Sequence, residues 1–143
     1  MIVLDTTVLV YATGSEHPLR EPCRRIVDGI SQGRINGATT VEAIQEFVHV
    51  RSRRRSRPEA AELGAAYADL LTPLLPVSVA DLHTGLFLFS AGERLGAFDA
   101  VLAAAALGAQ ADALVSADTA FRDVPGLRYV FPDAAAVDQL LAH

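Results

Sequence analysis

Hydrophobic positions in this chain of 143 residues fall into short blocks separated by polar and turn-forming residues. Ile2-Val3-Leu4 is an uninterrupted apolar run closed by Asp5, which predicts a short buried strand. Ser15–Pro18 carries turn residues, and Ile26, Val27 and Ile30 then recur at helical spacing within Arg20–Ile30, stopping near Gly33. Arg34–Ala38 is a weaker strand candidate. From Thr39 to about Val50, the residues Val41, Ile44, Phe47 and Val48 share one face of a further helix. Pro58 suits the first turn of the next helix, with Glu59 and Glu62 near its positive end, and this helix runs to about Leu71, before Pro73. Pro76–Val79 reads as a brief strand or a connector. Ala80–Glu93 and Ala97–Gln110 read as helices, the second so rich in alanine that it can pack closely. Ala113–Ser116 and Arg128–Phe131 read as strands, and Ala134–Leu141 as a closing helix.

Strands alternating with helices in this order predict an α/β layer fold with a central, mostly parallel sheet. The length fits one domain over residues 1–143, with no repeat or linker. In such sheets, ligands gather beyond the carboxyl ends of the strands. Asp5 follows the first strand directly, and Asp118 follows the Ala113–Ser116 run by two residues.

Composition narrows the chemistry. Cys23 is the single cysteine, which excludes an internal disulfide and is compatible with a reducing cytosol. The apolar start lacks the basic flank of a secretory signal and is interrupted by Asp5, and no stretch is long enough to cross a membrane. The net charge of −5 argues against bulk electrostatic attraction to nucleic acid, but the charge is unevenly distributed. All 12 basic residues are arginines, and five of them (Arg51, Arg53, Arg54, Arg55, Arg57) fall in one run. This run can grip phosphates or acidic partner residues, or simply form a solvated helix end. The absence of lysine excludes a P-loop lysine and Schiff-base chemistry. His17, His49, His83 and His143 show no metal-site or dyad spacing and read as surface residues. The Leu86-Phe87-Leu88-Phe89 block reads as core or dimer surface rather than a ligand pocket.

Four acidic residues stand out by position: Asp5, Glu46, Asp99 and Asp118. Each has a structural alternative, since Asp5 and Asp118 can cap turns and Asp99 suits the positive end of a helix. Carboxylates brought together repel one another, and a divalent cation relieves that conflict. Oxygen ligands suit Mg²⁺, or Mn²⁺ in its place, and such ions promote phosphodiester hydrolysis. Glu42 competes with Glu46 one helical turn away. Thr39 and Glu42 match a capping box, which gives Glu42 a structural role and leaves Glu46 as the better site candidate.

These residues make the chain resemble PIN-domain proteins of the VapC toxin type. The segments that carry the likeness are Ile2-Val3-Leu4-Asp5-Thr6-Thr7-Val8-Leu9-Val10-Tyr11, Thr40-Val41-Glu42-Ala43-Ile44-Gln45-Glu46-Phe47, Phe98-Asp99-Ala100 and Leu114-Val115-Ser116-Ala117-Asp118-Thr119-Ala120-Phe121. The resemblance implies a PIN-like three-layer α/β/α fold and a metal-dependent endoribonuclease. It makes Asp5, Asp99 and Asp118 the metal ligands, Glu46 a further catalytic carboxylate six residues after Thr40, and Ser116 a hydroxyl that orients the site. Thr7 departs from the asparagine of many relatives. The likeness also implies cleavage of transfer or ribosomal RNA, a homodimer, a VapB-type antitoxin partner and a cytoplasmic setting. The alternative is the same fold with a degenerate site, serving only to bind RNA or protein.

Overall fold

The computed structural model describes residues 1–142, so His143 lies outside the described residues. The chain opens with β1 (Ile2–Leu4), α1 (Thr6–Thr13), α2 (Arg20–Ser31) and β2 (Gly37–Ala38). Four helices follow: α3 (Val41–Ser52), α4 (Arg57–Leu70), α5 (Val79–Ala91) and α6 (Ala97–Gly108). The chain then forms β3 (Ala113–Val115), a 3-10 turn (Thr119–Asp123), β4 (Tyr129–Val130) and α7 (Ala134–Leu141).

The sheet order is β2-β1-β3-β4, and every pairing is parallel, with Val3 opposite Ala38 on one side and Leu114 on the other. β1 and β3 are central and wholly buried, which is why they read as continuous apolar runs rather than alternating ones. Their side chains still alternate between faces. Ile2, Leu4, Ala113 and Val115 join a core with Val8, Leu9, Ile26, Phe47 and Val137. Val3 and Leu114 join a second core with Leu102, Ala103, Ala106 and Phe121. Two cores on opposite faces of one sheet make the three-layer α/β/α arrangement. Because all strands run the same way, the residues that follow them, Asp5, Thr39 and Ser116, emerge at one edge.

The alanines of α6 let neighbouring backbones approach closely. Gly85 of α5 sits so near α6 that a Cβ there would lie 2.8 Å from Val101 Cα and 3.0 Å from its nitrogen. This crossing sets α5 beside the first turn of α6, where Asp99 lies.

Several expectations need correction. The helix Thr6–Thr13 is absent from the sequence-based expectation, because its β-branched run obscures the helical spacing of its buried positions Val8, Leu9 and Ala12. The strands of Arg34–Ala38 and Arg128–Phe131 shrink to two residues each. Thr39 does not cap α3. The cap is Thr40, whose side chain accepts from the Ala43 backbone N–H at 3.1 Å, while the buried Thr39 hydroxyl donates to Leu4 O at 2.7 Å. The capping box around Glu42 therefore does not form. In the Leu86–Phe89 block only Leu88 packs against the core; Leu86, Phe87 and Phe89 are exposed, Phe87 by 68%, so most of the block is surface.

Candidate active site

Asp5 is the N-cap residue of α1 by backbone position, yet its side chain caps nothing. It is 3% exposed, and its Oδ2 instead accepts two hydroxyl protons, from Ser116 at 2.6 Å and from Thr7 at 2.9 Å. The first-turn N–H groups of α1 add a favourable field for a carboxylate at this point. The Asp5 backbone N–H donates to Val115 O at 3.0 Å, which extends the β1–β3 ladder and fixes Asp5 against the residue that follows β3.

That residue is Ser116, fully buried, whose hydroxyl accepts the Asp118 backbone N–H at 2.9 Å. Asp118 itself is exposed, and its Oδ1 accepts from Ala120 N at 2.9 Å, so it does cap the 3-10 turn. The structural alternative for Asp118 is thus realised on one oxygen.

Glu46 is brought in by α3. The buried Thr6 hydroxyl shares its proton between Glu46 Oε2 at 3.0 Å and Ala43 O at 3.1 Å. Glu42 is exposed, lines the same cleft and has no such tether among the described residues. The capping argument that set Glu46 above Glu42 falls with the box; both glutamates line the cleft, and the Thr6 contact is what differs between them.

Asp99 lies in the first turn of α6, half-buried. Its pKa is pushed up to about 7, first by burial and then by the charges of Asp5, Asp118 and Glu46, with a proton-sharing contact to Asp118 adding to the shift. Glu42 is not among these causes. Burial and three converging carboxylates oppose ionisation of the fourth.

Asp5, Glu42, Glu46 and Asp99 line a cleft of about 820 Å³ together with apolar residues including Leu82, Leu86, Phe98 and Val101. Leu86, expected as core or dimer surface, thus forms a pocket wall together with Leu82. Asp118 stands outside the cleft lining and reaches it through Asp99. Among the described residues no group of three His, Cys, Asp or Glu side chains is close enough to hold an ion as placed. The donor set nevertheless fits a hard divalent cation, being all oxygen, with Asp99 under a charge conflict that a cation would relieve.

Two contacts at the site escape a reading of the sequence. Nothing there gives the hydroxyl of Thr6 a role, and Thr7 shows only as a departure. The one signal available is the pair of hydroxyl residues directly after a strand-ending aspartate.

A parallel-sheet α/β/α domain with carboxylates gathered at the strand ends is the form of a PIN domain, and the PIN domain matches residues 2–127. The chain is 54% identical over 142 residues to Ribonuclease VapC7 of Mycobacterium tuberculosis H37Rv, covering 99% of this chain and 98% of that protein. It is 34% identical over 101 residues to Ribonuclease VapC23 of the same species, covering 69% and 78% respectively. Ribonuclease VapC13, also of M. tuberculosis, is 23% identical over 128 residues, or 90% and 98%. The chain belongs to the PIN-domain family, in its VapC-type ribonuclease branch.

Proposed function

We propose that this protein is an endoribonuclease dependent on Mg²⁺, with Mn²⁺ as a substitute, and the toxin of a VapBC-type module. The observation that carries this reading is the carboxylate cleft itself, lined by Asp5, Glu42, Glu46 and Asp99, with Asp118 against Asp99 at its margin. Asp5, Asp99 and Asp118 are the residues that would hold the cation. A divalent cation supplies a Lewis acid for a phosphate oxygen and eases ionisation of water. Glu46, tethered by Thr6 at the cleft, would accept a proton from the attacking water. Thr7 and Ser116 hold Asp5 still.

The substrate reading rests on charge. Arg53, Arg54, Arg55 and Arg57 are exposed at the α3–α4 corner, whereas Arg51 pairs with Glu59 at 2.8 Å. Glu46 and His49 lie on an exposed face of α3, and the exposed Arg53 is the residue that ends it. Seven residues of helix separate Glu46 from Arg53, about 10 Å, so the arginines can hold phosphates near the cleaved bond in a transfer or ribosomal RNA. The exposed apolar residues Leu86, Phe87, Phe89 and Phe98 support a homodimer and a VapB-type antitoxin that covers the cleft. No described helix is long and apolar enough to cross a membrane, and the free Cys23 is buried, its thiol pushed up to about 12 by that burial. A cytoplasmic setting and a single domain over residues 1–143 belong to the same proposal.

The test is to purify the chain free of partners and incubate it with defined transfer and ribosomal RNAs in Mg²⁺, in Mn²⁺ and in chelator. Cleavage at few sites, lost in chelator, is expected. Undiminished cleavage in chelator would refute the metal dependence. Tight RNA binding without cleavage in either metal would favour the binding module instead.

A further inference from the structure

The hydrogen bonds around Asp5 have a definite direction. A hydroxyl carries one proton and can also accept. The Thr7 hydroxyl accepts the Ala117 backbone N–H at 2.9 Å, and the Ser116 hydroxyl accepts the Asp118 N–H at 2.9 Å. Each then has its one proton free to donate, and both Oγ atoms lie within hydrogen-bond distance of Asp5 Oδ2, at 2.9 Å and 2.6 Å. The two Oγ atoms are 3.3 Å apart, so Oδ2 sits in a narrow fork. Asp5 Oδ1 has no hydrogen-bond partner among the described residues, and Asp5 lines the cleft.

We infer that Thr7 is a positioning residue for the cation site. With Ser116 it clamps Oδ2 to the loop after β3 and leaves Oδ1 as the oxygen offered to the ion. The inference rests on the reading that Asp5 binds a divalent cation. Thr7 acts through Asp5 and touches neither ion nor RNA. Its second bond, from Ala117 N–H, ties the start of α1 to the loop that carries Asp118, so one hydroxyl sets the spacing of two carboxylates that are 113 positions apart in the chain. Outer partners of this kind orient a ligand before the ion arrives.

The test uses Mn²⁺ as the probe and binding as the readout. Mn²⁺ affinity is measured by calorimetry for the wild-type chain, Thr7→Val and Thr7→Ser, with thermal midpoints in chelator recorded alongside. Thr7→Val is expected to weaken Mn²⁺ binding by about 10- to 100-fold, and Thr7→Ser to bind close to wild type. Undiminished binding by Thr7→Val, or an equal loss in Thr7→Ser, overturns the inference, because the hydroxyl is then not what matters. If Thr7→Val does not fold, Thr7→Ala replaces it with the same two readings. Failure of both to fold beside a normal Thr7→Ser also overturns it, since the hydroxyl then serves the fold. A wild-type chain that binds no Mn²⁺ refutes the functional reading itself, whereas equal binding by wild type and Thr7→Val refutes only the role of Thr7.

Discussion

Replacing Asp99 with asparagine separates the electrostatic argument from catalysis, because its effect appears in the stability of the metal-free protein. The Asp99 carboxyl has its pKa raised from 3.8 to about 7 by burial and by Asp5, Asp118 and Glu46. A folded-state pKa above the unfolded one means that the native state binds the proton more tightly. The resulting stabilisation is present in full below about pH 4 and is lost as pH rises through about 7. Three pKa units correspond to about 4 kcal/mol at full strength, and because Asp99 is only part-buried, water reduces this to about 1–2 kcal/mol. In a chain of this length that is a fall of about 3–8 °C in thermal midpoint between pH 4 and pH 8. Asp99→Asn lacks the titrating group and so lacks this slope, while asparagine keeps the volume. Thermal unfolding in chelator at a series of pH values reads the difference, and Mg²⁺ added at pH 8 should raise the midpoint of wild type more than that of the variant. Parallel pH slopes for wild type and Asp99→Asn in chelator would refute the reasoning.

Three further outcomes are expected. Glu46→Gln should lower RNA cleavage by about 100-fold or more and Glu42→Gln by much less, since general-base groups contribute on that scale; single-turnover rates decide, and the reverse order removes Glu46 from the site. Changing Arg53, Arg54, Arg55 and Arg57 together to alanine should raise KM for RNA and flatten the salt dependence of binding by about 0.7 for each phosphate that is no longer neutralised, with cleavage of a dinucleotide unchanged; an unaltered salt slope assigns the arginines to a solvated helix end. Gly85→Ala should destabilise the fold by about 1–2 kcal/mol despite the better helix propensity of alanine, because two of the three nearest atoms belong to the Val101 backbone and cannot rotate away; a gain in denaturant midpoint would contradict the close α5–α6 crossing.

Much of the layer architecture is legible in the sequence because buried parallel strands leave uninterrupted apolar runs, as at Ile2–Leu4 and Ala113–Val115. The helix that begins at Thr6 is not, because Val8, Val10 and two threonines look like strand residues until the core claims Val8, Leu9 and Ala12. Asp5 and Asp118 are legible as site candidates because chain order puts them after strands. The choice between Glu42 and Glu46 is not legible from spacing alone. The capping argument takes Thr39 for the N-cap, one residue too early, and what distinguishes the two glutamates is a hydroxyl 40 residues away on Thr6. The clamp on Asp5 joins positions 111 apart, and no local pattern records which way a hydroxyl points. The arginine run is visible in the sequence, but only the structure shows that Arg51 is already paired.

The central claim is that the carboxylates at the strand ends hold a divalent cation and that its occupancy governs cleavage. The most direct measurement titrates Mg²⁺ into the metal-free protein and follows both binding and RNA cleavage in the same samples, for wild type, Asp5→Asn and Asp99→Asn. The account predicts that wild-type cleavage rises in step with occupancy, and that both variants remain folded, bind Mg²⁺ weakly and leave the RNA intact. Cleavage that proceeds before Mg²⁺ binds, or that survives in Asp5→Asn, would contradict it.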